Sequence, residues 1–339
     1  MTEAILVTGG AGYIGSHAVV ELLANGYEPI VLDNFSTGRS SNLPAGVQVY
    51  TGDVGDAAIV GRIFNQHRIS AVTHFAGSII VPESIENPIA YYRNNTAKTL
   101  NLIEQCVLNG VNRFVFSSTA AVYGIPAVSG PVNEAVSPCP ISPYGASKLM
   151  VEQMLADVCA AHPDFRAVAL RYFNVAGADP AGRCGQAAGA STHLVRCAVE
   201  TALGERPYLT IYGDDYATRD GTCERDFIHV SDLAALHLQA LAYLDSGGGL
   251  AAINCGYGRG VTVREVVGAL ERLIGKPLPT RPGLRRPGDP PSLVADVSTM
   301  RSLFDWTPRH ADLDTILLTA LAWRRRQLAQ GESAREPLP

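Results

Sequence analysis

A short apolar run that opens directly into a glycine-rich turn is the feature that most constrains this chain. Ala4–Thr8 is apolar, and Gly9-Gly-Ala-Gly-Tyr-Ile-Gly15 follows it and begins a stretch, 12–25, with helical spacing. Glycine permits a tight turn and lets backbone N–H groups at the positive end of a helix approach a phosphate. The order strand, glycine turn, helix therefore predicts a dinucleotide-binding loop, although the glycine pattern alone would be a weak signal.

Apolar runs and helical stretches continue to alternate as far as about residue 172. Runs at 29–33, 47–50, 71–75, 113–117 and 167–171 predict strands, and 56–67, 89–109 and 144–161 predict helices. Strands that are apolar on both faces and alternate with helices indicate a parallel sheet covered on both sides. We therefore predict an α/β fold with a doubly wound parallel sheet of the Rossmann type, followed by a smaller mixed α/β domain.

The composition excludes several classes of protein. The 339 residues have a net charge of −5, which argues against binding driven by nucleic-acid phosphates. No run of 18 apolar residues predicts a membrane span or a signal peptide. The seven cysteines contain no C-x-x-C pair, and their odd number fits thiols in a reducing compartment. We expect a cytoplasmic protein that binds no nucleic acid, no membrane and no metal.

Two carboxylates follow the second and third predicted strands. Asp33 lies 18 residues after Gly15, where a carboxylate can accept hydrogen bonds from the ribose hydroxyls of an adenosine and would repel a 2′-phosphate. It therefore favours NAD over NADP, although Arg39 nearby is a counter-argument. Asp53 is placed to reach the adenine amine, with a simple turn-forming aspartate as the competing interpretation.

Tyr144 and Lys148 lie four residues apart in a predicted helix and so share one of its faces. Tyrosine has an ordinary pKa near 10, and a nearby ammonium together with an oxidised nicotinamide ring would favour its phenolate. Such a phenolate can take a proton from a sugar hydroxyl while the carbon loses hydride. Thr119 follows a predicted strand at the edge that lines the cofactor crevice, so its hydroxyl is expected to bond to the same oxygen.

Six segments occur in a fixed order along the chain. They are Thr8-Gly-Gly-Ala-Gly-Tyr-Ile-Gly15, His74-Phe-Ala-Gly77, Phe116-Ser-Ser-Thr-Ala-Ala-Val-Tyr-Gly124, Ser142-Pro-Tyr-Gly-Ala-Ser-Lys148, Arg171-Tyr-Phe-Asn174 and Arg225-Asp-Phe-Ile-His-Val-Ser-Asp-Leu233. Together they resemble the extended short-chain dehydrogenase/reductase superfamily and, within it, the UDP-hexose 4-epimerases, from about residue 3 to 326. The resemblance implies a tightly held NAD that is reduced and reoxidised within one turnover. It also implies a 4-keto sugar that swings about its diphosphate.

The resemblance also implies roles for individual residues. Tyr144 would be the acid/base, Lys148 its electrostatic partner, and Thr119 the residue that the family fills with Ser or Thr. The cofactor contacts, including those argued above, are Gly9, Gly12, Tyr13, Ile14, Gly15, Asp33, Asn34, Asp53, Val54, Phe75, Ala76, Gly77, Asn94, Ser117, Tyr144, Lys148 and Tyr172. The contacts to the UDP-sugar substrate are Thr119, Tyr144, Asn174, His193, Leu194, Thr210, Tyr212, Arg225, Arg286, Asp289 and Leu293.

Several positions bear on which reaction the chain performs. Ala120 and Ala121 stand where related dehydratases and decarboxylases carry acidic residues, and two alanines cannot transfer a proton. Leu293 stands where a bulky Tyr accompanies narrow substrate choice, so UDP-N-acetylhexosamines are expected as additional substrates. Ile79 replaces a Lys found in some members, and His193 replaces a frequent Asn, with a helix-start residue as the competing interpretation. A 4-epimerase of a UDP-pentose or UDP-uronate, a nucleotide-sugar dehydratase or oxidoreductase, and a non-enzymatic dinucleotide sensor remain as alternatives.

The predicted organisation follows from the same resemblance and from the change in pattern near residue 172. Residues 1–172 are predicted to form the NAD-binding domain, to which the chain returns around 223–255. The segments 173–222 and 256–330 are predicted to form the nucleotide-sugar-binding domain, and 331–339 a frayed tail. By resemblance, the helices at 89–109 and 144–161 would pair across a two-fold axis in a homodimer.

Overall fold

Seven parallel strands form the central sheet of the structure, a computed structural model that describes residues 2–127, 130–187, 191–286 and 288–331. The strands of the whole described part of the chain, in both the central sheet and the smaller sheets, are β1 (Ala4–Thr8), β2 (Glu28–Asp33), β3 (Gln48–Thr51), β4 (Ile69–His74), β5 (Arg113–Thr119), β6 (Arg166–Tyr172), β7 (Asn174–Ala176), β8 (Leu209–Tyr212), β9 (Glu224–His229), β10 (Ala251–Cys255), β11 (Gly260–Thr262), β12 (Thr280–Gly283) and β13 (Ser292–Leu293). The helices are α1 (Tyr13–Ala24), α2 (Ala57–Gln66), α3 (Val81–Glu86), α4 (Pro88–Tyr91), α5 (Lys98–Leu108), α6 (Pro143–Ala161), α7 (Leu194–Ala202), α8 (Val230–Asp245), α9 (Val263–Ile274), α10 (Ser298–Leu303) and α11 (Leu313–Ala329).

The order of the central sheet is β10-β6-β5-β4-β1-β2-β3, and each neighbouring pair is parallel. From the β1–β4 pair, β2 and β3 follow on one side of the sheet, and β5, β6 and β10 follow on the other side. In such sheets a crevice opens beyond the carboxyl ends of the strands at that switch point. The predicted doubly wound parallel sheet is confirmed.

Both faces of the central sheet are covered because the strand side chains alternate between them. On one face, Val7 of β1 packs with Val19 of α1 and Leu236 of α8. On the opposite face, Leu6 packs with Leu102 of α5 and with side chains of α2 and α6. Both layers of helices pack against strand side chains, so the strands must be apolar on both faces. This explains the continuous apolar runs of the sequence.

A second, smaller unit follows the central sheet. In it β9 pairs with β11 in antiparallel fashion and with β7 and β13 in parallel, and β8 and β12 form a separate parallel pair. Helices α7, α9 and α11 enclose its core, which includes Val195, Leu270 and Leu317. The stretch 223–255 is divided between the units, because β9 belongs to the small sheet whereas α8 and β10 cover and extend the central one.

The predicted helix at 89–109 is less regular than expected. It begins at Pro88 and consists of α4, a π-helical turn at Tyr92–Ala97 and α5, and α3 precedes it. Asn87 separates α3 from α4 because its side chain accepts the N–H of Ala90 and caps the new helix. Of the predicted tail, 332–339 lie outside the described residues. No helix in the described ranges is long and apolar enough to cross a membrane.

Candidate active site

The glycine turn after β1 closes tightly and leaves the first turn of α1 without a side-chain cap. Gly9 has a φ of +70°, and a Cβ added there would lie 2.6 Å from the backbone nitrogen of Ala76. A Cβ at Gly15 would overlap the carbonyl oxygen of Gly9. Gly12 is the N-cap residue of α1. This bare, positive helix end fits the pyrophosphate of a dinucleotide resting against backbone.

The first helical turn is also tied to the second unit. The hydroxyl of Tyr13 donates to the carbonyl of Gly177 at 2.6 Å. Ile14 packs against the core below α1. The side chains of the two predicted residues therefore contact other parts of the protein.

Asp33 ends β2 beside the glycine turn. Its carboxylate is buried and accepts the N–H groups of Ala11 at 2.9 Å and Phe35 at 2.8 Å. These bonds fix the direction of the carboxylate, and each oxygen keeps a lone pair for a further donor. Such an oriented acceptor fits the predicted contact to ribose hydroxyls. Arg39 is exposed, and its backbone N–H bonds to Ala11.

Asp53 follows β3 and forms an ion pair with Lys98 at 2.6 Å. Burial alone would raise the pKa of Asp53, but hydrogen bonds from Lys98 and the N–H of Gly55 hold it below its ordinary value. Asn34 also donates to this carboxylate at 3.3 Å. The structure thus brings the predicted residues 33, 34 and 53 together at the ends of β2 and β3. The neighbouring Val54 is buried.

The segment after β4 passes beside Lys148. A Cβ added to Gly77 would lie 3.5 Å from the Nζ of Lys148, and Asn94 donates to the hydroxyl of Ser78 at 3.0 Å. Asn95, which the sequence analysis missed, holds the same segment, because its amide accepts the N–H of Ser78 at 2.7 Å and donates to its carbonyl at 2.9 Å. The consecutive asparagines were the available signal, but which one faces the segment depends on the π-helical turn.

Thr119 ends β5 beside Tyr144, close enough for its hydroxyl to lower the pKa of the phenol. The Oγ1 of Thr119 accepts the N–H of Ala121 at 3.1 Å, so its hydroxyl proton is free to be donated to the tyrosine oxygen. Ser142 caps α6 by accepting the N–H of Gly145 at 3.2 Å, and Pro143 starts the helix. This cap places Tyr144 in the first helical turn, where it faces Thr119.

Burial acts on both members of the tyrosine–lysine pair. It raises the pKa of Tyr144, and the hydrogen bond from Thr119 opposes that rise. It lowers the pKa of Lys148 to about 8. Lys148 donates to the carbonyl of Ser117 at 2.9 Å and lies 4.9 Å from the ring centre of Phe116. In the protein alone the phenol is the stable form of Tyr144, so the predicted phenolate requires a further positive charge in the crevice.

Tyr172 ends β6 next to this group. Its hydroxyl lies 2.5 Å from the Nε2 of His237 and is also bonded to Ser117. The ring of His237 stacks obliquely on Phe75 with 4.7 Å between ring centres. Three of the predicted cofactor residues, at 75, 117 and 172, therefore border one region between β4, β5 and β6.

The two predicted diphosphate arginines lie in the second unit. Arg225, on β9, donates to Asp289 at 2.6 Å, and its side chain is only 12% exposed. The guanidinium of Arg286 lies 4.0 Å above the ring centre of Tyr212. Leu293 is paired with Arg225 in the parallel β9–β13 register. The four residues 225, 286, 289 and 293 are thus carried by one strand pair and the loop leading into it.

The remaining predicted substrate residues lie on β7, at the start of α7 and on β8. Asn174 begins β7, which pairs with β9. His193 is the exposed N-cap residue of α7, which agrees with the helix-start interpretation, and Leu194 is the first residue of that helix. Thr210, on β8, accepts the Nε–H of Arg281 at 3.0 Å. Asn174 therefore borders the small sheet directly, whereas the other three belong to α7 and β8.

A glycine loop for a dinucleotide, an oriented carboxylate beside it and a Thr–Tyr–Lys group at the carboxyl end of β5 together define a class of nucleotide-dependent enzymes. Residues 5–256 match the NAD dependent epimerase/dehydratase family, and the chain belongs to this family.

Individual relatives are similar over nearly the full length. The UDP-glucose 4-epimerase of Azospirillum brasilense is 54% identical over 95% of this chain and 92% of its own. The crystal structure of UDP-glucose 4-epimerase from Brucella ovis in complex with NAD matches with a TM-score of 0.91 and 44% identity, covering 95% of this chain and 98% of its own. The UDP-Glc/GlcNAc 4-epimerase of Campylobacter jejuni matches with a TM-score of 0.85 and 44% identity, covering 96% and 99% of the two chains.

Proposed function

We propose that this protein interconverts UDP-glucose and UDP-galactose by inverting C4 of the hexose with a resident NAD. The observation that carries the proposal is the grouping of Thr119, at the carboxyl end of β5, with Tyr144 and Lys148, one helical turn apart in α6. These groups lie where the cofactor crevice of a doubly wound sheet is expected. The relatives named above, UDP-glucose 4-epimerases among them, support the choice of reaction.

The residues divide the chemistry between them. NAD, when bound, supplies the acceptor and the donor of the hydride at C4. Tyr144 takes the proton of the 4-hydroxyl as the C4 hydrogen leaves as hydride, and gives that proton back when the 4-keto sugar is reduced. Thr119 donates a hydrogen bond that stabilises the phenolate, and the Lys148 ammonium adds positive charge beside it. No group is consumed, so the net reaction is an isomerisation.

Inversion requires the 4-keto sugar to turn its opposite face to the same side of the crevice. We infer that the UDP stays anchored while the sugar swings about the diphosphate. Arg225 and Arg286 suit this anchor because guanidinium groups can bind phosphate oxygens bidentately. Asp289 and Tyr212, which contact these arginines, are proposed to face the ribose and the uracil.

The residues after Thr119 favour an epimerase over a dehydratase. Ala120 and Ala121 form the 3₁₀ turn at the end of β5, next to Tyr144. Elimination of water from C5 and C6 needs an additional acid and base, and alanine provides neither. A net oxidoreductase would consume external NAD in proportion to product, so cofactor stoichiometry separates that alternative.

We propose that substrate breadth extends to UDP-N-acetylhexosamines. Leu293 is partly buried and offers an aliphatic side chain where, by resemblance, other members carry a larger Tyr. The similar Campylobacter jejuni structure is of a UDP-Glc/GlcNAc 4-epimerase, which supports the same inference. UDP-pentoses and UDP-uronates are the next substrates to compare.

The domain roles, assembly and location are further proposals. Residues 1–172, with the return of the chain in α8 and β10, would bind NAD, and the second unit would bind the UDP-sugar. Exposed Leu100 and Leu108 on α5 and Met150 on α6 support pairing of these helices in a homodimer. The seven cysteines are free thiols, which favours the cytoplasm.

The decisive experiment is proton NMR of the purified protein with UDP-galactose and no added cofactor. Appearance of UDP-glucose without loss of protein-bound NAD supports the proposal. No conversion by folded, NAD-loaded protein would contradict it for the hexose. The same assay with UDP-N-acetylgalactosamine, UDP-arabinose and UDP-galacturonate would then test the remaining sugars.

A further inference from the structure

Three largely buried polar side chains are hydrogen-bonded to one another next to the catalytic residues. The hydroxyl of Ser118 donates to Glu152, and Arg171 donates to the same carboxylate through Nη2 at 2.6 Å and Nε at 3.1 Å. The Arg171 and Glu152 side chains are 6% and 9% exposed. We call Ser118, Glu152 and Arg171 the polar clamp.

The polar clamp joins the two elements that supply the catalytic groups. Ser118 stands in β5 between Ser117, whose carbonyl accepts a hydrogen bond from the Lys148 ammonium, and Thr119, whose hydroxyl lowers the pKa of Tyr144. Glu152 stands in α6 one helical turn after Lys148. The bond from Ser118 to Glu152 therefore crosses from strand to helix at the level of the catalytic side chains.

Arg171 extends the hold to the other side of Thr119. Its Nη1 donates at 2.8 Å to the hydroxyl of Tyr123, which ends the 3₁₀ turn that Thr119 caps. Tyr123 is 1% exposed and donates in turn to Asn254 of β10 at 2.8 Å. The residue before Thr119 and the turn after it are thus both fixed to the same guanidinium–carboxylate pair.

We propose that the polar clamp is a positioning unit that keeps the Thr119 hydroxyl directed at the Tyr144 oxygen. A charged pair bonded in a bidentate manner and removed from water holds its partners more narrowly than a neutral contact does. Small errors in the placement of a reacting group cost rate even when the group itself is retained. This inference rests on the proposed role of Tyr144 as acid/base, and it assigns no contact with substrate to the clamp.

Ser118→Ala tests the proposal because it releases the strand and leaves the Glu152–Arg171 pair intact. A matched control is Thr299→Ala in α10. This change also deletes a hydroxyl that donates a hydrogen bond to a carboxylate, that of Glu134, at 2.8 Å. The two NAD-loaded variants and the wild type are compared in three ways. These are thermal unfolding, kcat and KM for UDP-galactose, and near-ultraviolet titration of the Tyr144 phenol, read as the difference from the same protein carrying Tyr144→Phe.

We expect both alanine variants to melt at similar, slightly reduced temperatures. Only Ser118→Ala should raise the pKa of Tyr144, because the interaction with Thr119 that lowers it is loosened. Its kcat should fall about tenfold with KM nearly unchanged, and Ser118→Thr, which retains the donor, should restore both quantities.

Titration and kcat of Ser118→Ala that match those of Thr299→Ala would overturn the proposal. The proposal would also be overturned by a Ser118→Thr variant that unfolds at the same temperature as the wild type but restores neither the pKa of Tyr144 nor kcat. A wild type that fails to convert UDP-galactose contradicts the proposed function instead. The phenol titration still decides the role of the clamp in that case, because it needs no turnover.

Discussion

Tyr144 and Lys148 are both held toward their neutral forms by burial, which shapes what the rest of the site has to supply. The pKa of the lysine is lowered to about 8, so near neutral pH most of its population is still charged. The tyrosine remains a phenol unless positive charge is added nearby. An oxidised nicotinamide would add that charge and lower the pKa of Tyr144. Reduction of the ring would remove the charge and raise the pKa again, so the protonation of Tyr144 should depend on the redox state of the cofactor.

Tyr144→Phe should abolish turnover and leave the fold and the bound NAD in place. The change removes only the hydroxyl, and loss of a positioned general base costs roughly 10² to 10⁴ in rate. The measurement is kcat for UDP-galactose together with nucleotide released on denaturing the protein. Tyr50→Phe is the control, because that hydroxyl bonds to Gln66 at 2.8 Å, far from β5. A Tyr144→Phe variant that keeps the wild-type rate would remove the acid/base assignment.

Leu293→Tyr should narrow substrate choice. A phenol ring beside the proposed sugar site leaves less room for a 2-N-acetyl group than for a hydroxyl. We expect the ratio of kcat/KM for UDP-N-acetylgalactosamine over UDP-galactose to fall about tenfold or more. Leu293→Met, which nearly conserves volume, should keep the wild-type ratio. Equal ratios in all three proteins would show that this side chain does not face the sugar.

Helix α6 illustrates how a site can depend on the absence of a side chain. A Cβ at Gly145 would lie 2.6 Å from the carbonyl oxygen of Ala121 and 3.1 Å from the Cβ of Pro140. Neither neighbour is the flexible end of a long side chain. The start of α6 can therefore approach the 3₁₀ turn after β5 only because position 145 is glycine, and this approach lets Tyr144 meet Thr119.

Gly145→Ala should thus impair catalysis more than an ordinary helix substitution. We expect a loss of about 1–3 kcal/mol in the free energy of unfolding from overpacking, and a fall in kcat of about 10²-fold from displacement of Tyr144. Gly268→Ala in α9 is the matched control, since its Cβ would meet only an Arg272 side chain at 3.9 Å. That control should gain up to about 1 kcal/mol of stability. Chemical denaturation and steady-state kinetics measure both effects.

Strands β1 to β6 of the central sheet could be predicted because each is a continuous apolar run with its own turn signals. The seventh strand, β10, was not predicted as a strand. The break between α3 and α4 also had a signal, since Asn87-Pro88 is a cap followed by a residue suited to the first helical position. The π-helical turn had none. It depends on Asn95 reaching Ser78 and Ser147, which are distant in sequence.

The site was predictable to the same degree. Asp33, Thr119, Tyr144 and Lys148 stand at strand ends or on one helix face, so local spacing and the parallel sheet together bring them to one edge. The arrangement of Arg225 opposite Leu293 was not predictable from local spacing. It is set by pairing of the two-residue strand β13 with β9, and so short a strand has no register of its own.

At the scale of the whole molecule, four buried histidines indicate sensitivity to acid. Burial lowers the pKa of His17 and His237 to about 4 and of His74 and His229 to about 3, from an ordinary 6.5. Below pH 6.5 these four histidines bind protons in the unfolded chain but stay neutral in the folded protein. The folded state therefore loses stability as the pH falls from about 6.5 toward 4, by roughly 1.4 kcal/mol per pH unit for each histidine.

Together the four should remove roughly 5 kcal/mol per pH unit between pH 6 and 4, which is comparable to the whole stability of a typical domain. Denaturant unfolding at a series of pH values measures this slope. His237→Gln should reduce the slope by one proton. A free energy of unfolding that is flat over this range would refute the assignment.

The position of β10 has a consequence for synthesis of the chain. This strand closes the edge of the central sheet beside β6, yet it follows β6 by about 80 residues. At ribosomal rates of about 5–20 residues per second, the edge of β6 stays unpaired for roughly 4–16 seconds, until β10 has been synthesised. An open apolar strand edge readily captures other chains. The nascent chain should therefore expose this edge until β10 has been synthesised, and fast overproduction should favour inclusion bodies.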